Sequence, residues 1–250
     1  MARREMRLWL ALLDRLEFQL KLKVASGRNS FIRGTAAAYV SNGGTAPNYM
    51  LESHRRNLQK VLENHYRVCV SKFGDLALRG IKSRKIEVKD LKDAYQTFLD
   101  EWVRTQALKK ATSISATDMD DVRNAIQDGI EDSAGIEDIG RRIRSVAELT
   151  PSRAATVART ETHAAATFGS IEATRQAEDE LGIQLLKEWL PTLDDRTREA
   201  HRAMEGQPPI PLGEKFNVGG EFLDRPGDPS GSAENVINCR CGLAYSQGGA

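Results

Sequence analysis

Cysteine is scarce: Cys69, Cys239 and Cys241 are the only three in 250 residues. So sparse a set cannot supply the disulfide framework of a small secreted domain, and a C-x-C pair on an extended chain is poorly placed to close on itself. Long apolar runs are missing as well. Nothing approaches the roughly 18 residues of a membrane span, and the start MARREMRLWLALLDRLEFQLKLK carries charges throughout what would be a signal peptide's apolar core. No export signal, no membrane insertion and a reducing cytoplasm are the expectations. The signatures of the commonest enzyme classes are absent too: no G-x-G-x-x-G, no P-loop, no H-E-x-x-H, no G-x-S-x-G. On that ground the chain reads as a non-enzyme with no catalytic residue and no cofactor.

What is present is a globular composition, 40% apolar and 28% charged, on a chain long enough to bury a core without metal or disulfide help. The net charge of +1 hides a division. Residues 1–110 hold 22 Lys and Arg against 11 Asp and Glu, whereas residues 111–250 hold 14 against 24. Such a split either steers the two halves toward different partners or makes them complementary to each other.

Helical periodicity dominates the first 180 residues. Leu8, Trp9, Leu12, Leu13, Leu16 and Leu20 predict an amphipathic helix docked on protein. The stretch ASGRNSFIRGTAAAYVSNGGTAPN predicts an interruption, with Gly43-Gly44 as a turn. Leu51, Leu58, Val61, Leu62 and Tyr66 mark a second helix, on which His54 and His65 stand too far apart to chelate one ion and are expected at the surface or the edge of the core. A third stripe runs from Lys89 to Lys110 through Leu91, Tyr95, Phe98, Leu99 and Trp102. Thr117 with Asp118, Asp120 and Asp121 predicts a new helix start with a charged cap rather than a calcium loop. Ile136, Ile139, Ile143 and Val146 predict a short helix, and Thr150-Pro151 opens a longer alanine-rich one. After Gly182 the chain turns to short apolar segments and Gly/Pro-rich loops, with strands expected near 184–190, 215–223 and 236–245. Trp189, Leu193, Phe216, Phe222, Leu223, Ile237, Leu243 and Tyr245 are the candidate small core.

Three polar concentrations remain. Arg159, Glu161 and His163 lie on the alanine-rich helix and read as ties to the rest of the domain. DDRTREAHRAMEGQ sets Asp194, Asp195, Arg198 and His201 close together, and Arg240 is expected to reach this turn. Cys239 and Cys241 with His201 have the donor types of a zinc site, with Asp194 or Asp195 as a fourth corner. A C-x-C pair is awkward on a regular strand, however, and neither a second C-x-x-C nor a close His follows, so no metal is expected. The cysteines then read as small buried residues or edge groups.

In order, ARTETHAAATFGS (Ala158–Ser170), WLPTLDDRTREAHRAMEGQ (Trp189–Gln207) and DPSGSAENVINCRCGLAY (Asp228–Tyr245) resemble the phage Mu F-like head morphogenesis proteins, the minor capsid or minor head proteins of tailed phages. The resemblance covers about residues 145–246 and carries Arg159, Glu161, His163, Asp195, Arg198, His201, Asn238, Cys239, Arg240 and Cys241 as its motif residues. Many members have a C-x-x-C pair in the middle element and a His-Pro before the last, where this chain has Arg198 and His201, and Val236-Ile237. The family implies a structural component of the virion, at the portal vertex or inside the head, present in several copies around a symmetric vertex and assembled in the host cytoplasm. Its partners would be the portal protein and the major capsid or scaffold protein. The basic residues 1–110 add a candidate sequence-independent contact with DNA phosphates. The competing class is a phage-associated transferase or hydrolase using Glu161, His163 or His201, which a pocket gathering these groups would favour.

The expected fold is α+β and predominantly helical: an extended N-terminal helical part, then a helix and a small, loop-rich C-terminal module containing strands. The expected divisions are 1–110, 111–180 and 181–250.

Overall fold

A computed structural model describes residues 3–81 and 92–248, and it is predominantly helical with a smaller helix-and-strand module at the C-terminal side. Helices α1 (Arg3–Ser41), α2 (Asn48–Ile81), α3 (Lys92–Glu131), α4 (Ile136–Ser145) and α5 (Thr150–Leu181) come first, with a 3-10 turn at Val146–Leu149 leading into α5. Strand β1 (Leu185–Leu190), helix α6 (Glu199–Arg202), strands β2 (Ile210–Pro211), β3 (Phe216–Val218) and β4 (Glu221–Leu223), helix α7 (Ala233–Val236) and strand β5 (Gly242–Gln247) follow. No described helix is long and apolar enough to cross a membrane.

Two helix boundaries differ from expectation. α1 does not break where the interruption over 25–48 is expected to begin but continues to Ser41, and the turn comes only at Gly43-Gly44, both at positive φ. α3 runs straight through Thr117, whose hydroxyl donates to the Ser113 carbonyl one turn back instead of capping a new helix. Of the third predicted stripe, Lys89 and Leu91 lie outside the described residues, as does the side chain of Tyr95.

The chain forms two compact units. One comprises Phe18–His65 and Asp100–Ala158. Its apolar core joins Phe31, Ile32 and Tyr39 of α1 to Met119 and Val122 of α3 and Ile139 and Ile143 of α4. Within it lies a polar hub that the sequence reading missed. Arg28, 1% exposed, donates to Asp118 at 2.8 Å, to Asp121 at 2.7 Å and to Thr150 at 2.7 Å. His54, stacked on Phe31, bonds the other Asp118 oxygen at 2.9 Å. His54 and His65 are buried, not at the surface, and Asp118 is a core carboxylate, not a cap. Burial opposes the Asp118 charge, but the His54 and Arg28 hydrogen bonds outweigh it and hold the carboxyl below its ordinary range.

The other unit comprises Met1–Glu17, Tyr66–Leu99 and Arg159–Ala250. Trp9 packs edge-on against Phe73, their centroids 4.4 Å apart. β1 is the centre of a three-stranded antiparallel sheet in the order β2-β1-β5, with Trp189 opposite Leu243 and Leu186 opposite both Ser246 and Pro211. β3 and β4 pair separately, joined by Gly219-Gly220. β1 alternates as a half-buried strand should, turning Leu185, Lys187 and Trp189 inward. The buried Lys187 ammonium is matched by Asp224, 2.7 Å away. Trp189, Phe216, Leu223 and Leu243 form the small core with Ile171, Cys239 and Cys241. Leu193, Phe222 and Ile237, expected in that core, are exposed.

Candidate functional site

The polar side of α5 holds the terminal cysteine segment. From one helix stretch, Arg159 donates to the Asn238 side chain at 2.9 Å, the Thr160 hydroxyl accepts from the Asn238 amide at 3.2 Å, and His163 reaches the Cys241 carbonyl at 2.7 Å. Asn238 sits at φ 59°, a left-handed conformation that Asn tolerates, and it turns the chain so that Ile237 faces out while Cys239 faces in. Glu161 points elsewhere and accepts from the Tyr66 hydroxyl at 2.6 Å.

The middle element closes on the same segment from the other side. The Thr192 hydroxyl donates to the Arg240 carbonyl at 2.7 Å, and Arg198 donates to the Ile237 carbonyl. Arg198 therefore ties the two loops directly. The Asp194 side chain is engaged by Thr197 and by the Arg196 amide, and Asp195 is exposed. The Arg240 guanidinium does not reach the polar turn as expected but pairs with Asp14 of α1 at 2.9 Å.

His201 is the point of convergence. It is 2% exposed, on α6, with its ring edge-on to Trp189. Its Nδ1 lies 3.3 Å from the Cys241 sulfur and 3.7 Å from the Cys239 sulfur, and its Nε2 lies 3.2 Å from the Asn235 carboxamide oxygen. One thiol can donate to the other, so Cys241, beside Cys239 and the ring, is held below the ordinary thiol range while Cys239 is pushed above it. The Cys69 thiol is pushed up by burial alone. Among the described residues no fourth His, Cys, Asp or Glu joins this group, so neither Asp194 nor Asp195 completes it. A cleft of about 270 Å³ opens beside it, lined by Arg159, Arg196, Arg198 and Arg240 as well as the three donors. His201 is on that cleft, but Glu161 and His163 are not, so this cleft does not gather the three candidates.

A long helix, a Thr/Asp/Arg turn and an N-C-R-C segment are thus folded on one another. The profile described as Phage Mu protein F like protein matches residues 120–244, half of the chain, and the chain belongs to that family. Over 128 residues it is 30% identical to Minor head protein GP7 of Bacillus phage SPP1, covering 51% of this chain and 40% of that protein. Over 120 residues it is 31% identical to NAD(+)--arginine ADP-ribosyltransferase EFV of Enterococcus faecalis, covering 48% of this chain and 24% of that protein. The chain thus spans less than half the length of either curated relative. No solved structure matches it.

The exclusion of enzymatic activity is overturned. It rested on the absence of familiar linear motifs, whereas His201, Cys239 and Cys241 are brought together from positions about 40 residues apart, and one relative bears the name of a transferase. A motif search cannot see donors assembled by folding.

Proposed function

We propose that this protein is a minor head protein acting at the portal vertex or the capsid interior, in head assembly, DNA packaging or DNA delivery. The observation that carries the reading is the profile match over residues 120–244, which includes the clasp between α5 and the Asn238–Cys241 segment. Its partners in this reading are the portal protein and the major capsid or scaffold protein, with several copies around a symmetric vertex. Phe18 and Leu22, one turn apart on α1, are 61% and 55% exposed, and they are apolar groups that such a partner would cover. The excess of basic residues in 1–110 supports a phosphate-based contact with packaged DNA. Electron microscopy of the protein with its portal tests the reading: density at portal subunit clefts supports it, and portals that stay bare at saturating protein sink it. For the DNA contact, affinity that falls steeply with salt and ignores sequence is the supporting result. Salt-insensitive portal binding with no shift of DNA removes that part.

A second reading is favoured by the 31% identity to the ADP-ribosyltransferase. In it, the cleft lined by four arginines takes an anionic substrate for a transfer reaction. Incubation with labelled NAD⁺ and arginine-bearing acceptors decides: neither transfer nor NAD⁺ consumption means this chain lacks that activity.

A further inference from the structure

We propose that His201 Nδ1, Cys239 Sγ and Cys241 Sγ bind a divalent thiophilic cation, zinc foremost, with the fourth coordination position left to a water or another exogenous ligand. This inference is independent of the portal reading and of the transferase reading.

Geometry is the first argument. Zinc bonds of about 2.3 Å to sulfur and about 2.0–2.1 Å to nitrogen, at tetrahedral angles, place a nitrogen and a sulfur about 3.6 Å apart. The two nitrogen–sulfur separations are 3.3 and 3.7 Å, and all the donor atoms lie within 4.8 Å of one another. The C-x-C spacing, unsuited to a regular strand, works here because the left-handed Asn238 precedes the pair and Cys239 and Cys241 both lie ahead of β5, where neither is bound to strict alternation.

The second argument is the orientation of the imidazole. A carboxamide oxygen only accepts, so the ring proton belongs on Nε2, facing Asn235, and the Nδ1 lone pair faces the sulfurs. The Asn235 amide in turn donates to the Val218 carbonyl at 3.4 Å, which fixes which end of the side chain faces His201. Metal-binding histidines are held in this way by a second partner on the far nitrogen.

The third argument is charge. A cation that replaces both thiol protons leaves two thiolates that are neutral together with a divalent ion, which suits a site where all three side chains are 2% exposed. Three protein donors beside a cleft are the pattern of an open rather than a closed site.

The test uses the full chain, stripped with chelator, kept reduced and titrated with Co²⁺. Thiolate-to-cobalt charge-transfer absorption with tetrahedral d–d bands, saturating at one equivalent and bleached by zinc, is expected. Added azide should shift the d–d bands by occupying the exchangeable corner. Cys239→Ser and Cys241→Ser should abolish the charge-transfer signal while the helical circular dichroism is retained, and Cys69→Ser should leave it unchanged. Asn235→Ala, which keeps all three donors, should weaken binding about 10–100-fold. Should a cysteine variant fail to fold, protection of two thiols from alkylation by zinc in the unmodified chain serves instead. Absence of cobalt bands, their loss in Cys69→Ser, or a Cys239–Cys241 disulfide that persists under reductant would overturn the site. Bands indifferent to azide would overturn the exchangeable corner.

Discussion

His163 Nε2 and the Cys241 carbonyl oxygen are 2.7 Å apart across 78 residues of sequence. A carbonyl can only accept, so Nε2 carries the proton, and burial keeps the ring neutral by pushing its pKa down. The bond satisfies a buried acceptor in the loop that carries both cysteines, and so places the Cys241 backbone. His163→Leu strands that carbonyl, with an expected loss of about 1–3 kcal/mol in urea unfolding. His163→Gln retains an amide donor and should lose less. Equal losses in the two variants would show that ring packing, not the bond, holds the loop.

Asp118 and Asp14 each pair with an arginine, and their surroundings separate them. Asp118 is 1% exposed and serves Arg28, Arg153 and His54, so Asp118→Ala leaves the Arg28 cation buried with its main partner gone; a loss of about 3–5 kcal/mol is expected. Asp14, 61% exposed opposite Arg240, is screened by water, and Asp14→Ala should cost less than about 1 kcal/mol. The Asp118 carboxyl is depressed in the folded state, so its contribution is complete above the unfolded value near about 3.9 and drains away as pH falls through the native one. The Asp118→Ala chain should therefore show a shallower acid limb than the parent.

His65 gives a second pH dependence in a different window. Burial, with Lys23 nearby, lowers its pKa from 6.5 to about 4. The unfolded chain takes up this proton first, so stability is undiminished above about pH 6.5, falls between there and about pH 4, and then levels. A difference of that size corresponds to about 3 kcal/mol. His65→Leu should flatten the stability curve across that interval, as measured by denaturant midpoints at a series of pH values. An unchanged slope would place the titration elsewhere.

Local signals were legible where the physics is local. The turn at Gly43-Gly44, the helix at Ile136, the opening at Thr150-Pro151 and strand β1 all follow from turn chemistry or periodicity. The continuous α1 was not legible because its glycines look like breaks. Gly34 is instead a packing residue, where an added Cβ would come within 2.8 Å of Met50. Thr117 gave a false cap because a threonine hydroxyl bonds equally well to the carbonyl one turn back. β2 is two residues long and includes Pro211, too short to carry a period. Arg28 and Asp118 are 90 residues apart, and no pattern in either neighbourhood announces the other. His201, Cys239 and Cys241 could be named as candidates from donor type alone. Their convergence depends on Asn235 and on the left-handed Asn238, which the sequence does not reveal.

Gly169 is a point of close helix approach on the alanine-rich α5. A Cβ there would lie 2.5 Å from the Val70 carbonyl oxygen and 2.6 Å from the Val70 Cα, both backbone atoms that cannot swing aside. Gly74 meets the Gly169 carbonyl from the same direction, with its own hypothetical Cβ 3.2 Å away, so small residues face each other on α2 and α5. Alanine is the better helix former by about 1 kcal/mol, and at an exposed site Gly169→Ala would stabilise the helix. Here separation of the helices must outweigh that gain, because the methyl forces α2 outward and loosens the core around it. A net loss of about 1–3 kcal/mol is expected. Gly74→Ala, whose Cβ would meet only the 3.2 Å and 3.3 Å neighbours, should be milder. Thermal unfolding of the two variants beside the parent checks the order, and a Gly169→Ala chain as stable as the parent would mean that the helices do not pack at the observed distance.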